Sequence, residues 1–203
     1  MPRIKAESIE AHKDLVRREL LDAAHAFLCE TRSADVNLAE VAARAGIGRT
    51  TFYEYFRDRD DLVASLVEEI LPGVVDRLIA SVPPEGRYAE RLRAMAVATV
   101  EYLAADEVLG LILHRELPRL GQSAQDRIAL AHADLTQEMA ALYRKGVEAG
   151  EFVSLPPALA GRFIHEVTMA GGKAVIASAG SHEAVRDVAG VTADFLVRGL
   201  RSA

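Results

Sequence analysis

Arg49, Thr50, Thr51, Tyr53 and Tyr55 fall within seven consecutive residues and directly follow a Gly46-Ile47-Gly48 turn. Arginine and threonine side chains reach base edges in the major groove of duplex DNA, and tyrosine hydroxyls donate to phosphate oxygens. The spacing sets these groups apart from the apolar ones. Phe52 and Phe56 are four apart and share a core-facing stripe, whereas Arg49, Thr50 and Tyr53 share another face that the apolar pattern leaves exposed. They are contact residues rather than packing residues.

A helix that presents such a face needs a support, and the preceding residues supply one. Asn37 is a capping residue and Glu40, three on, completes a capping-box pattern. Leu38, Val41, Ala42 and Ala45 then make one apolar stripe about two turns long. Gly46 suits the left-handed turn between the two helices, with Ile47 as an apolar plug. Upstream, residues 11–31 form a first helix with Val16, Leu20, Ala23, Ala24 and Phe27 on its buried stripe and the single Cys29 near that side. Residues 1–10 are polar, too short of apolar residues for a signal peptide, and read as a flexible arm.

The run AEVAARAGIGRTTFYEYF resembles the helix-turn-helix of the TetR family of bacterial transcriptional regulators, and the likeness extends over roughly residues 17–71. The resemblance implies an all-α chain. A three-helix DNA-binding head over residues 1–57 would precede a helical effector-binding and dimerisation domain over 58–203. By position, Arg49, Thr50 and Thr51 would meet base edges, while Tyr53, Tyr55 and Arg59 would hold phosphates. Packing beside Phe52 and Phe56 is the alternative for the two tyrosines. Asn37 and Arg44 would touch the backbone as well. Gly48 departs from the family's usual Ser and removes a hydroxyl that could cap or bind phosphate, with Arg49 beside it to compensate.

Net charge does not advertise a polyanion partner, since 24 basic against 30 acidic residues leave −6. Residues 1–60 hold 10 basic and 11 acidic side chains, so placement and not sum must create a basic face. Lys5, Lys13, Arg17, Arg18, Arg44, Arg49, Arg57 and Arg59 are the groups that could gather there.

Beyond the head the chain reads as helices broken at Pro and Gly. Asp58 caps a helix carrying Leu62, Leu66 and Ile70 that links both domains, with Pro72-Gly73 as a possible kink. After the SVPPEG break, a helix over 87–104 carries Leu92, Met95, Thr99 and Tyr102 along one side. A short apolar segment spans 108–117, and a long helix spans 124–149 with Ile128, His132, Leu135, Met139 and Leu142 on one face, closed by Gly150. GVEAGEF resembles the turn after this helix in many family members. The last two helices, about 157–178 and 183–199, carry apolar faces too broad for a monomer. In the family this pair forms a four-helix dimer interface, which would contain Phe163, Val167, Ala170, Val188, Thr192, Phe195 and Leu196. The small residues Ala170, Gly171, Gly172 and Ala174 suit close backbone packing there.

The resemblance also implies a small-molecule effector held between helices, near Met95, Thr99, Tyr102, His132 and Met139, each of which could equally be core. His114 and His165 are further polar anchors. A mostly apolar site implies a hydrophobic or aromatic ligand whose binding releases a palindromic operator from a repressor homodimer. Enzyme chemistry is argued against by spacing: there is no His-Glu-x-x-His, Glu-x-x-His, cysteine cluster or Gly-x-Ser-x-Gly, and Gly46-Ile47-Gly48 lacks a third glycine and a preceding strand. No metal or cofactor is implied. No run of 18 apolar residues crosses a membrane, so a cytoplasmic protein is expected. A helical adaptor that binds only protein is the alternative, but it leaves Arg49, Thr50 and Tyr53 without a role.

Overall fold

The computed structural model describes residues 2–31, 36–112, 116–178 and 182–202; His114 lies outside them. Ten α-helices follow one another among the described residues: α1 (Pro2–Thr31), α2 (Leu38–Arg44), α3 (Arg49–Tyr55), α4 (Arg59–Ala80), α5 (Tyr88–Ala105), α6 (Glu107–Leu111), α7 (Gln122–Ala131), α8 (Ala133–Glu148), α9 (Pro157–Ser178) and α10 (His182–Leu200). A 3-10 turn at Leu117–Arg119 precedes α7. Extended pairing among the described residues is limited to an isolated bridge between Phe152 and Arg201. The fold is all-α, as expected. No helix among the described residues is long and apolar enough to cross a membrane.

The chain forms two compact units, Met1–Glu69 with Leu111–Ile128, and Ile70–Gly110 with Ala129–Ala203. In the first, α1 buries Leu20, Leu21, Ala24, Phe27 and Leu28, and α2 and α3 contribute Val41, Ala42 and Phe52. In the second, α5 packs against α8, α9 and α10, with Leu92, Met95, Ala96 and Val100 fully closed from solvent. The units do not follow the division at residue 57, because Leu111–Ile128 returns to the first.

Three expectations are corrected. The N-terminal arm is helix, for α1 starts at Pro2, which suits a first helical position, and nothing after it breaks the turn. The helix expected over 124–149 is two, α7 and α8, divided by a turn at His132. Cys29 is exposed, not buried: the core stripe of α1 runs through Ala24, Phe27 and Leu28, and the next residue is carried around the helix to solvent, where its Sγ lies 3.8 Å from His25 Nδ1. Pro72 lies inside α4, which runs on to Ala80 as the linking helix was expected to.

The GVEAGEF turn does more than its composition suggests. Gly150 takes φ +75° after α8, and the N–H groups of Gly150 and Glu151 donate to Val147 O and Gly146 O at 3.0 and 2.8 Å, a Schellman stop. The turn aims Glu151 back at α5. Its carboxylate accepts the N–H of Tyr88 at 3.1 Å and of Ala89 at 3.0 Å, capping a helix whose own N-cap, Arg87, makes no side-chain cap bond. Phe152 then stacks on Tyr143 with centroids 5.9 Å apart and lies over Gly146 so closely that a Cβ there would stand 2.3 Å from its ring. Gly146→Ala is therefore expected to destabilise the fold by about 1–3 kcal/mol, seen as a lower urea midpoint with an unchanged slope.

Candidate nucleic-acid interface

The turn between α2 and α3 is built from hydrogen bonds that the sequence could place. Asn37 Oδ1 accepts the N–H of Ala39 at 3.1 Å and of Glu40 at 3.3 Å, which caps α2. Glu40 does not complete the box; its carboxylate accepts from Arg44 Nη2 at 2.9 Å instead. Gly46 sits at φ +68°, and the N–H groups of Gly46 and Ile47 donate to Ala43 O and Ala42 O at 3.0 and 2.9 Å. This is again a Schellman stop, and it reverses the chain into α3. Gly48 is the N-cap of α3 in extended backbone at φ −68°, without a side-chain cap bond, and nothing lies within 4 Å of where a Cβ would stand. Glycine is thus not required there by strain or crowding.

α3 divides into two faces. Phe52 and Phe56 are each 1% exposed, with ring centroids 5.6 Å apart. Arg49, Thr50 and Thr51 are exposed, Tyr53 is 45% exposed and Tyr55 is half-buried. Arg49 lies over the Tyr53 ring at 5.9 Å, with Nη2 3.5 Å from the hydroxyl oxygen. The guanidinium and phenol present one outward surface.

Several other arginines of this unit face carboxylates. Arg44 donates to Glu30 Oε2 at 2.7 Å as well as to Glu40, and stacks over Phe27 at 5.2 Å. Arg17 is 3.9 Å from Glu69. Arg57 Nε is 3.3 Å from Asp61, whose Oδ2 also accepts the Arg57 N–H at 3.0 Å, while Asp58 Oδ1 accepts the Asp61 N–H at 2.8 Å and caps α4. Arg59 donates to Glu116 and lies 3.6 Å from Asp60. Its side chain is only 27% exposed, so at the start of α4 the charge expected to face phosphate is turned largely inward.

Sequence reasoning missed the group that holds α7 to α4. Arg127 Nε donates to Glu68 Oε1 at 2.7 Å, Nη1 to Asp61 Oδ1 at 2.6 Å, and Nη2 to Ser65 Oγ at 2.8 Å and Glu68 Oε2 at 2.5 Å. The fork engages both Glu68 oxygens, and those hydrogen bonds outweigh the opposing effect of burial, so its proton is held more firmly than usual. The partners lie 59 to 66 residues apart in the chain, and no short-range pattern points to such a pair.

Residues 20–66 match the family described as bacterial regulatory proteins, tetR family, and residues 85–170 match the tetracyclin repressor-like C-terminal domain. The chain belongs to the tetR family. It is a DNA-binding transcription regulator and not an enzyme. It is 21% identical over 133 residues to the fatty acid metabolism regulator protein of Bacillus subtilis strain 168, a match covering 66% of this chain and 69% of that one. It is 34% identical over 107 residues to an uncharacterised HTH-type transcriptional regulator of Mycobacterium bovis, covering 50% and 54% of the two chains. The crystal structure of the transcriptional regulator FadR from Bacillus subtilis in complex with stearoyl-CoA has the same fold, with TM-score 0.75, 19% identity and coverage of 91% of this chain and 99% of that one.

The tetR-family fold also locates the remaining expected residues, all of them in the second unit. Met95 is fully buried, Met139 is 6% exposed, and Thr99, also 6% exposed, donates its hydroxyl to Met95 O at 2.8 Å. Tyr102 donates to Asp106 Oδ2 at 2.7 Å; burial and that carboxylate push its phenol up to about 12, so it stays a neutral donor. His132 is half-buried and His165 exposed. On α9 and α10, Phe163 is 47% and Phe195 69% exposed, Ala170 is exposed, and Val167 is half-buried. Leu196, expected at an interface, is 3% exposed and belongs to the unit's own core, whereas Val191, not singled out from the sequence, is 70% exposed beside Phe195. Val188 packs in the same chain on the Val100, Val175 and Ala189 cluster. Gly171 is answered within the chain too, by Thr192, whose Oγ1 would stand 2.5 Å from a Cβ.

The clamp has a pH signature. Burial opposes ionisation of Asp61, but the Arg57 N–H and the Arg127 and Arg57 guanidinium groups outweigh it and hold the carboxyl below its ordinary value. A carboxyl lowered in the folded state stabilises fully above the unfolded range, near about pH 4, and loses that contribution as pH falls through the folded value. Asp61→Asn is expected to cost about 1–3 kcal/mol at pH 7 and much less near pH 2, measured as urea midpoints at the two pH values. An equal loss at both would remove the carboxylate from the account.

Proposed function

We propose that the chain is a repressor that binds a palindromic duplex operator as a homodimer and is released from it by a small apolar or aromatic molecule. The observation that carries the reading is the outward face of α3, on which Arg49, Thr50, Thr51 and Tyr53 are exposed while Phe52 and Phe56 anchor the opposite side. Arg49, Thr50 and Thr51 read base edges, and Tyr53, Tyr55 and the Asn37 amide contact phosphates. Arg44 and Arg59, both held by carboxylates, add to the field more than to direct contact. Residues 1–57 form the DNA-binding head and residues 58–203 serve mainly effector and dimer, with Leu111–Ile128 belonging to the head's compact unit.

Support for the dimer is apolar surface on two helices of one unit. Leu159 and Phe163 on α9 are 40% and 47% exposed, and Val191 and Phe195 on α10 are 70% and 69% exposed. Exposed apolar groups clustered in this way mark an association surface. A two-fold dimer pairs two recognition helices about one helical turn of DNA apart, which matches a palindrome. Support for the effector is the apolar neighbourhood of Met95, Thr99, Tyr102, His132 and Met139, together with the stearoyl-CoA complex of the similar Bacillus subtilis regulator.

Selection of bound sequences from random duplex DNA tests the reading. It is expected to return an inverted repeat, and Arg49→Ala is expected to lose about 1–3 kcal/mol on that sequence while the protein stays dimeric. No enrichment, with no duplex binding at low salt, would make the chain a protein-binding adaptor instead. Val191→Glu combined with Phe195→Glu is expected to convert the sedimenting species from dimer to monomer and to weaken operator binding with it. A wild-type chain that sediments as a monomer would remove the dimer.

A further inference from the structure

The first unit brings to the start of α4 a residue from far outside the helix-turn-helix. Glu116, whose side chain is 5% exposed, holds two arginines at once: Arg59 on Oε2 and Arg119 on Oε1, the latter at 3.3 Å. With Asp60 beside Arg59, two guanidinium groups face two carboxylates, and the two guanidiniums are not equivalent. Arg59 is 27% exposed and also faces Asp60, whereas Arg119 is 75% exposed and has the longer contact. An exposed single-point ion pair of that length contributes little and yields readily to a stronger anion. Arg119 is therefore the guanidinium of the pair that turns more readily to another anion.

The turn that carries it is fixed to the same helix. Asp60 Oδ2, in the first turn of α4, accepts the N–H of Gly121 at 2.7 Å, and Leu120 O accepts from Gln125 Nε2 at 2.8 Å. Leu117–Arg119 form a 3-10 turn with Pro118 setting its start, and Leu120 is 4% exposed beneath it. Arg57, two residues past the end of α3 and just before α4, is 74% exposed. Residues 117–121 fall within the match to the C-terminal domain, yet they belong to the compact unit that holds the head.

We propose that Arg119 is a DNA-backbone contact, a guanidinium delivered by the turn after α6 to a phosphate flanking the bases read by α3. Arg59, turned inward by Glu116, positions that turn instead of meeting the phosphate. The inference rests on the reading of the head as an operator-binding surface. A phosphate is the anion of choice because planar guanidinium groups bind its oxygens bidentately, and because the polyanion already lies against the adjoining helix.

The test uses the full chain and a duplex enriched from the random pool, with binding followed by fluorescence anisotropy across a salt series. Arg119→Ala is expected to weaken binding about three- to tenfold on the operator and on unrelated duplex alike, and to reduce the slope of log K against log salt by about 0.9 for each phosphate it neutralises. Arg119→Lys should restore the slope, and the thermal midpoints of both variants should match the wild type. An Arg119→Ala protein with wild-type slope and affinity overturns the proposal and leaves the operator reading intact. A slope lost in Arg59→Ala but not in Arg119→Ala assigns the phosphate to Arg59 and overturns it equally. Wild-type protein that binds no duplex at low salt overturns both readings together.

Discussion

A helix of seven residues has no stability of its own in water, and α3 is that short. Its outward face exists because Phe52 and Phe56 are buried on the other side, each contributing about 1.5–3 kcal/mol of apolar burial. Everything placed on the recognition surface depends on that anchor. Arg49 and Tyr53 can be exposed and still ordered because the helix beneath them is held by groups that never touch solvent. The Schellman stop at Gly46 then sets where α3 begins, so the direction of the exposed side chains follows from two aromatic rings and one left-handed residue.

The electrostatics follow a different logic from that of a basic DNA-binding domain. With a net charge of −6, the protein cannot rely on its overall field to find a polyanion. Arg17, Arg44, Arg57, Arg59 and Arg127 each face a carboxylate of the same unit, which cancels their long-range attraction while tying helices together. Arg49 is set against a phenol instead, and its charge is left uncancelled at the surface. Pairing these arginines leaves the remaining positive charge to a smaller set of exposed side chains, Arg49 on α3 among them.

Local features of this arrangement were legible from residue order. Asn37, Gly46 and Gly150 announce a cap and two helix stops, Phe52 and Phe56 announce the buried side of α3, and the breaks at 81–86 and 150–156 separate helices that the structure also separates. Periodicity failed where tertiary contact decides. The stripe through Ile128, His132 and Leu135 continues across the turn that divides α7 from α8, because α7 is held to α4 by Arg127 while Leu135 faces the core of the other unit. Leu196, expected at an interface, lies in its own unit's core, and Val191, which the pattern did not single out, is exposed, for a related reason. A broad apolar face shows that a helix has two things to pack against, but the face alone does not say which part serves the chain's own core. The shared carboxylate of Glu116 was invisible, since 57 residues separate it from Arg59.

That carboxylate bears on how a change elsewhere in the chain could reach the head. The first unit is joined to the second at three covalent points, after Glu69, before Leu111 and after Ile128. Two of the three bound the same short segment, and that segment is fastened to the first turns of α4 by Glu116 on Arg59, the Gly121 N–H on Asp60, and Arg127 on Asp61 and Glu68. Partly buried charged contacts are directional, and breaking one leaves an uncompensated charge, so the segment and the start of α4 move together or not at all. Three residues separate the end of α3 from the start of α4, which is capped there by Asp58. Residues 116–127 are thus fastened by charged contacts to the helix that follows α3, within one compact unit and apart from the apolar anchor of Phe52 and Phe56.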